Sequence, residues 1–170
     1  MIRSTKPRSH EAMKNTPSPL PAPARKQICE ALRAVLTDGL DLYTQLKVAH
    51  WNIKGPHFAA LHPLFDTFAT DQAANNDEVA ERILTLGHLA VGTARHVAKN
   101  SRLPEYPQGT TKDLEHVALL AERIGAHLDG MRKAREVAKK HEDEDTFDLL
   151  TGMVEQFEKH AWFLHATLEG

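Results

Sequence analysis

The chain has 170 residues, of which 41% are hydrophobic and 26% charged, with a formal net charge of −2. That length suits one domain with its own core, and no apolar run approaches the ~18 residues a bilayer-spanning helix needs, so no membrane partner is expected. Cys29 is the only cysteine, which excludes an internal disulfide and fits a reducing cytoplasm; set among apolar residues at helical spacing, it reads as a small core residue rather than a nucleophile.

Charge is unevenly spread. Residues 1–26 carry Arg3, Lys6, Arg8, Lys14, Arg25 and Lys26 against Glu11 alone, a net charge of +5 that leaves −7 on the other 144 residues. The same stretch contains Pro7, Pro17, Pro19, Pro21 and Pro23 and lacks the apolar core of a secretory signal. Residues 1–24 are therefore expected to form a flexible basic arm on an acidic body at residues 25–170.

From Arg25 to Asn52, Ile28, Leu32, Val35, Leu36, Leu40, Tyr43 and Leu46 recur at three- and four-residue intervals, one helical stripe stopped by Gly55 and Pro56. A second helix is predicted from Ala59 to Leu86, closed by Gly87; its middle, ATDQAANNDE, is polar nearly all round. Residues 88–110 form a long connection with a short helix around Thr93–Lys99. A third long helix is expected over Thr111–Lys140, with Leu114, Val117, Leu120, Ile124, Leu128, Met131 and Val137 facing inward. Asp143 or Asp145 caps a fourth, in which Phe147, Leu150, Val154, Phe157, Ala161, Leu164 and Leu168 make a bundle seam. Four long helices with a long connection between the second and third describe an all-α, ferritin-like four-helix bundle.

The second helix carries the chemistry. His62 and Asp66 are four residues apart, as are Asp77 and Glu81, and the eleven-residue offset between the pairs amounts to three turns plus 20°, so all four share nearly one stripe. At ~1.5 Å rise per residue the pairs are still about 16 Å apart within one chain. An antiparallel copy of the helix about a two-fold axis near Asp71 and Gln72 would bring His62 and Asp66 of one subunit to Asp77 and Glu81 of another, twice per dimer, with the polar middle of the helix at the axis. His50 closes the first helix and adds a nitrogen. Imidazoles with carboxylates suit Fe(II), and also Zn, Mn or Co, and a bound cation relieves the repulsion between gathered carboxylates. Taken singly, each of these residues is more often a cap or a solvated surface group; the joint spacing is what favours a metal site.

The run AHWNIKGPHFAALHPLFD at 49–66, followed by DEVAERILTLG at 77–87, LPEYP at 103–107 and DLLTGMVEQFEKHAWFLHA at 148–166, closely resembles the signature of Dps, the DNA-binding protein from starved cells, a mini-ferritin. By that resemblance the five ferroxidase ligands fall on His50, His62 and Asp66 of one subunit and Asp77 and Glu81 of its two-fold mate, with Trp51 as the adjacent tryptophan. The resemblance implies a dodecameric shell, Fe(II) as substrate oxidised preferentially by hydrogen peroxide, a ferric mineral as product, no haem, and a cytoplasmic, nucleoid-associated protein that protects DNA. It also suggests a pore near Asp129.

Pro63 departs from the family pattern. Proline lacks an amide donor and restricts the preceding residue, so it predicts a helix that has barely begun there and a displaced His62. His57 is read as a surface residue and Trp51 equally as an interface aromatic. The basic arm predicts salt-sensitive, sequence-independent DNA binding, repeated twelvefold on a shell. A nucleoid-compacting protein with a vestigial metal site is the alternative. A different helical di-iron protein is disfavoured, because no glutamate here has a histidine three residues on.

Overall fold

The structure, a computed structural model, describes residues 16–170. Arg3, Lys6, Arg8 and Lys14 lie outside them. The described residues form five helices and no strand: α1 (Ala22–Asn52), α2 (Phe58–Thr85), α3 (Ala94–Asn100), α4 (Asp113–Lys140) and α5 (Glu144–Glu169). Helix α1 packs on α2 and α4, α4 packs on α5, and α3 lies in the crossover against α1. This is the expected bundle.

The ends follow from local chemistry. Pro21 precedes α1 with an extended backbone, so the helix starts at Ala22 rather than Arg25, and Arg25 and Lys26 belong to its first turns, Lys26 beside Glu30 at 4.0 Å. The preceding residues also lie against the body: the Thr16 hydroxyl donates to the Thr85 carbonyl at 2.5 Å, and Leu20 packs on the core. Helix α2 ends in a Schellman motif, in which Gly87 at φ 81° lets its own amide reach the Leu84 carbonyl and the His88 amide reach that of Ile83. Asp143 caps α5, accepting from the Thr146 amide.

Phe65, Phe68, Leu32, Leu42, Leu46, Leu120, Ile124, Met131 and Phe157 fill the core, each contributing about 1.5–3 kcal/mol by leaving water. Leu114 and Leu168, expected in the interior, are exposed instead: they sit at helix ends, where no neighbouring helix extends to cover them.

The polar middle of α2 also differs from expectation. Gln72 and Asn76 are buried inside the protomer and bonded to each other at 2.9 Å, in space left by Gly39 on α1, where a Cβ would come 2.2 Å from Asn76 Oδ1. Asp71 pairs with His160 of α5 at 2.8 Å, and Asn75 with Gln156 at 2.9 Å. Much of that polarity therefore serves internal packing. The outward stripe of α2 runs instead through Thr70, Ala73, Asp77 and Glu81.

Pro63 lies inside α2, at its sixth residue. The helix continues through it because the bond it deletes would have ended on the Ala59 carbonyl, and both residues are exposed to water.

Candidate metal centre

The loop between α1 and α2 spans only residues 53–57, and it is closed from behind by the start of α4. The Lys54 amide donates to the Thr111 carbonyl at 2.7 Å, and the Asp113 amide returns to Lys54 at 3.0 Å. The Asp113 carboxylate then accepts from both the backbone amide and Nδ1 of His57, at 2.9 and 2.8 Å. These bonds, the His57 amide first, hold the Asp113 carboxyl below its ordinary pKa. Gly55 makes the approach possible: its φ is 141°, and a Cβ there would lie 2.5 Å from the Asp113 carboxyl carbon. His57 is thus a clamp rather than an unattached surface residue.

This clamp fixes the angle between the end of α1 and the start of α2, and so brings His50 and His62 together. Their ring centroids are 3.8 Å apart, with Phe58 against the second ring at 4.9 Å. Nδ1 of His50 donates to the His62 carbonyl at 2.7 Å. Because a carbonyl only accepts, the proton of neutral His50 is on Nδ1, and the Nε2 lone pair is left for a metal ion.

Asp66 lies one turn beyond His62, but its carboxylate is engaged by Lys47 of α1 at 2.5 Å. That hydrogen bond, supported by the charges of Lys47, His50 and His62, lowers the Asp66 pKa against the opposing effect of partial burial. Lys47 was not singled out in the sequence; its position three residues before His50, on the same face of α1, is the signal that could have found it.

Asp77 and Glu81 are exposed further along α2, and neither forms a hydrogen bond or ion pair with another side chain among the described residues. No three His, Cys, Asp or Glu side chains among the described residues converge closely enough to hold a metal ion within one protomer. The chain therefore brings His50, His62 and Asp66 to one corner and leaves Asp77 and Glu81 apart from them. Trp51, 68% exposed, and Phe58, 46% exposed, flank the corner. Beside Asp77 runs a groove of about 430 Å³ lined by Leu36, Leu40, Tyr43, Ala73, Ala80, Ala90 and Val91. Asp129 is elsewhere, on α4, bonded to Arg132 at 3.1 Å and bordering a small groove with Asp38, Arg102 and Lys133.

Comparison with known proteins identifies the family of the chain and its fold. The family model described as "Ferritin-like domain" matches residues 29–170. The chain is 35% identical over 154 residues to the DNA protection during starvation protein of Agrobacterium fabrum, covering 91% of this chain and 95% of that one. Among solved structures it is similar to DpsC from Streptomyces coelicolor, at a TM-score of 0.89 and 32% identity over 96% of each chain. A Dps protein of Vibrio cholerae, described as one of a broad superfamily of ferritin-like diiron-carboxylate proteins, gives a TM-score of 0.86 at 28% identity over 93% of this chain and 99% of that one.

Proposed function

The chain belongs to the ferritin-like family as a Dps-type mini-ferritin, and from that premise we propose that it is a ferroxidase and iron-storage protein whose sites form between two protomers. Fe(II) is the substrate; His50, His62 and Asp66 of one protomer and Asp77 and Glu81 of a two-fold mate hold it. The observation that carries the reading is the His50 tautomer: its Nδ1 proton is fixed on the His62 carbonyl, so Nε2 points its lone pair away as a ligand. Exposed, unpaired Asp77 and Glu81 are the complementary half, and the apolar groove beside Asp77 is the seat for the mate.

Two ferrous ions held together give both electrons to one hydrogen peroxide, yielding two ferric ions and water, whereas a single ion gives one electron and releases hydroxyl radical. Carboxylates favour the ferric product. Dimers assembling into a dodecameric shell would store the ferric mineral, and the acidic body would draw cations inward. Under this reading Trp51, exposed next to His50 in the chain, yields an electron to a stray oxidant. In solution, apo-protein is mixed with Fe(II) and peroxide and compared with a His50→Ala, Asp77→Ala variant; slower oxidation and more hydroxyl radical in the variant are expected. Equal rates and equal radical yields would sink the ferroxidase reading.

The contact of Lys47 with Asp66 favours a second reading, in which the metal site is weak and the protein acts chiefly by binding DNA. DNA contact is assigned to Arg3, Lys6, Arg8 and Lys14, with Arg25 and Lys26 at the head of α1, without reading of sequence. Removing residues 2–15 is expected to abolish DNA retention at low salt; retention unchanged by the deletion would rule the segment out.

A further inference from the structure

Behind the α1–α2 turn the fold buries a second pair of side chains with redox chemistry of its own. Tyr106, in the crossover, is 5% exposed, and its hydroxyl lies 2.6 Å from Nδ1 of the fully buried His116 on α4. The rings are nearly parallel, at 14°. In the tautomer that carries its proton on Nε2, an atom with no hydrogen-bond partner among the described residues, neutral His116 offers Nδ1 as the acceptor for the phenol O–H. Above the phenol ring stands the Arg123 guanidinium, 5.2 Å from its centroid, held by the Gln45 side chain and the Leu119 and Glu105 carbonyls.

Each neighbour constrains what an electron loss from the phenol can produce. A phenol radical cation beside the fixed Arg123 charge is opposed by repulsion in a low-dielectric interior. Release of the phenolic proton to Nδ1 moves the positive charge off the phenol to the imidazole and leaves a neutral phenoxyl radical. The resulting imidazolium is favoured by the Glu115 and Asp113 carboxylates and by the nearby Thr110 carbonyl, even though burial keeps the resting ring neutral, with its pKa below the ordinary histidine value. Position adds to this: His116 is one turn from Asp113, the residue that clamps His57 between His50 and His62.

We propose that Tyr106 and His116 form a proton-coupled one-electron donor that quenches strong one-electron oxidants, such as hydroxyl radical, from within the protomer. In the forward step one electron leaves Tyr106, its O–H bond breaks and an N–H bond forms on His116. Hydroxyl radical takes that electron with a proton from solvent and becomes water. A one-electron reductant from solution, such as a thiolate or ascorbate, then supplies the electron that restores the phenol as the proton returns from His116 to the oxygen.

The test uses the full-length, assembled, iron-free protein, so that its failure leaves the ferroxidase reading untouched. Photogenerated tris-bipyridyl ruthenium(III), with persulfate as electron acceptor, is the oxidant, and electron paramagnetic resonance with ring-deuterated tyrosine separates tyrosyl from tryptophanyl radicals. Tyr43 and Tyr106 are the only tyrosines, so a tyrosyl signal retained in Tyr43→Phe and reduced at least tenfold in Tyr106→Phe is expected. His116→Gln keeps a hydrogen-bond acceptor but cannot take the proton; a tenfold lower yield with unchanged elution volume separates proton transfer from mere anchoring. Should that variant misfold, wild-type protein in heavy water is expected to form the radical at least twofold more slowly. A tyrosyl signal assigned to Tyr43, only tryptophanyl radicals, full yield in His116→Gln, or no isotope effect would overturn the proposal.

Discussion

Two polar regions of this protomer sit on opposite sides of α1 and are built on opposite rules. The crossover is fastened by a closed network: Asp38 accepts from the Arg102 amide and side chain, Gln45 donates to Asp41 and the Pro104 carbonyl, and Arg123 binds Gln45 and the Glu105 carbonyl. At the α1–α2 corner, by contrast, His50, His62 and Asp66 face outward with bonding capacity to spare, and Asp77 and Glu81 are left entirely to solvent. The first region spends its polar groups on holding shape, since an unsatisfied buried group is costly. The second keeps them for something outside the protomer. Satisfaction, more than residue type, separates the crossover network from the corner, although ring nitrogens of the buried His116 and His127 elsewhere in the scaffold have no hydrogen-bond partner among the described residues.

The largest expected break in that contrast comes from the scaffold. Replacing Arg123, 2% exposed, with Met leaves Gln45 and the Glu105 carbonyl without their donor, and a loss of about 3 kcal/mol in unfolding free energy is expected, read by urea denaturation. A stability within experimental error of wild type would show that the network is dispensable.

Next comes the buried His127 beside Asp38. Burial pushes its pKa down to about 4, the Asp38 charge opposing and Arg102 assisting. An unfolded histidine titrates near 6.5, so between pH 6.5 and 4 the unfolded chain binds more protons than the folded one. The neutral buried ring thus costs nothing above pH 6.5, and stability falls as the pH drops from there toward 4. His127→Leu should flatten that acid limb in a pH series of melting curves; an unchanged slope would contradict the assignment.

Smaller effects sharpen the open site. Lys47→Met frees Asp66, and affinity for Zn(II) or Co(II) should rise about tenfold by calorimetry, the scale expected for a group that engages a ligand; an unaltered affinity would show that the pairing is no obstacle. Asp77→Asn should change stability least, by under about 0.5 kcal/mol, because nothing in the protomer depends on that carboxylate. A larger loss would mean that Asp77 has a structural partner.

The helices were legible because repeated apolar spacing records one buried face, and the run from Ile28 to Leu46 states it plainly. The candidate ligands on α2 were legible for the same reason, since side chains four residues apart must share a face. Contacts between helices leave no such record. Nothing in the order of residues announces that Arg102 reaches back to Asp38, or that Lys47 reaches Asp66. The polarity of Gln72 and Asn76 is likewise ambiguous in the sequence, because a buried amide pair and a solvated surface read alike until the vacancy at Gly39 is known. Helix-end leucines mislead for a related reason: period says which side a residue faces, not how far the neighbouring helix extends.

The bond from His50 to the His62 carbonyl has a further consequence for tolerance. Two ligands on separate helices would ordinarily inherit every variation in the residues that join them. Here a single 2.7 Å bond ties the first imidazole to the backbone that carries the second, short-circuiting the five-residue loop. Positional error therefore does not accumulate along the chain between them, and loop residues outside the Gly55 and His57 clamp can change while the gauge between the two rings stays set.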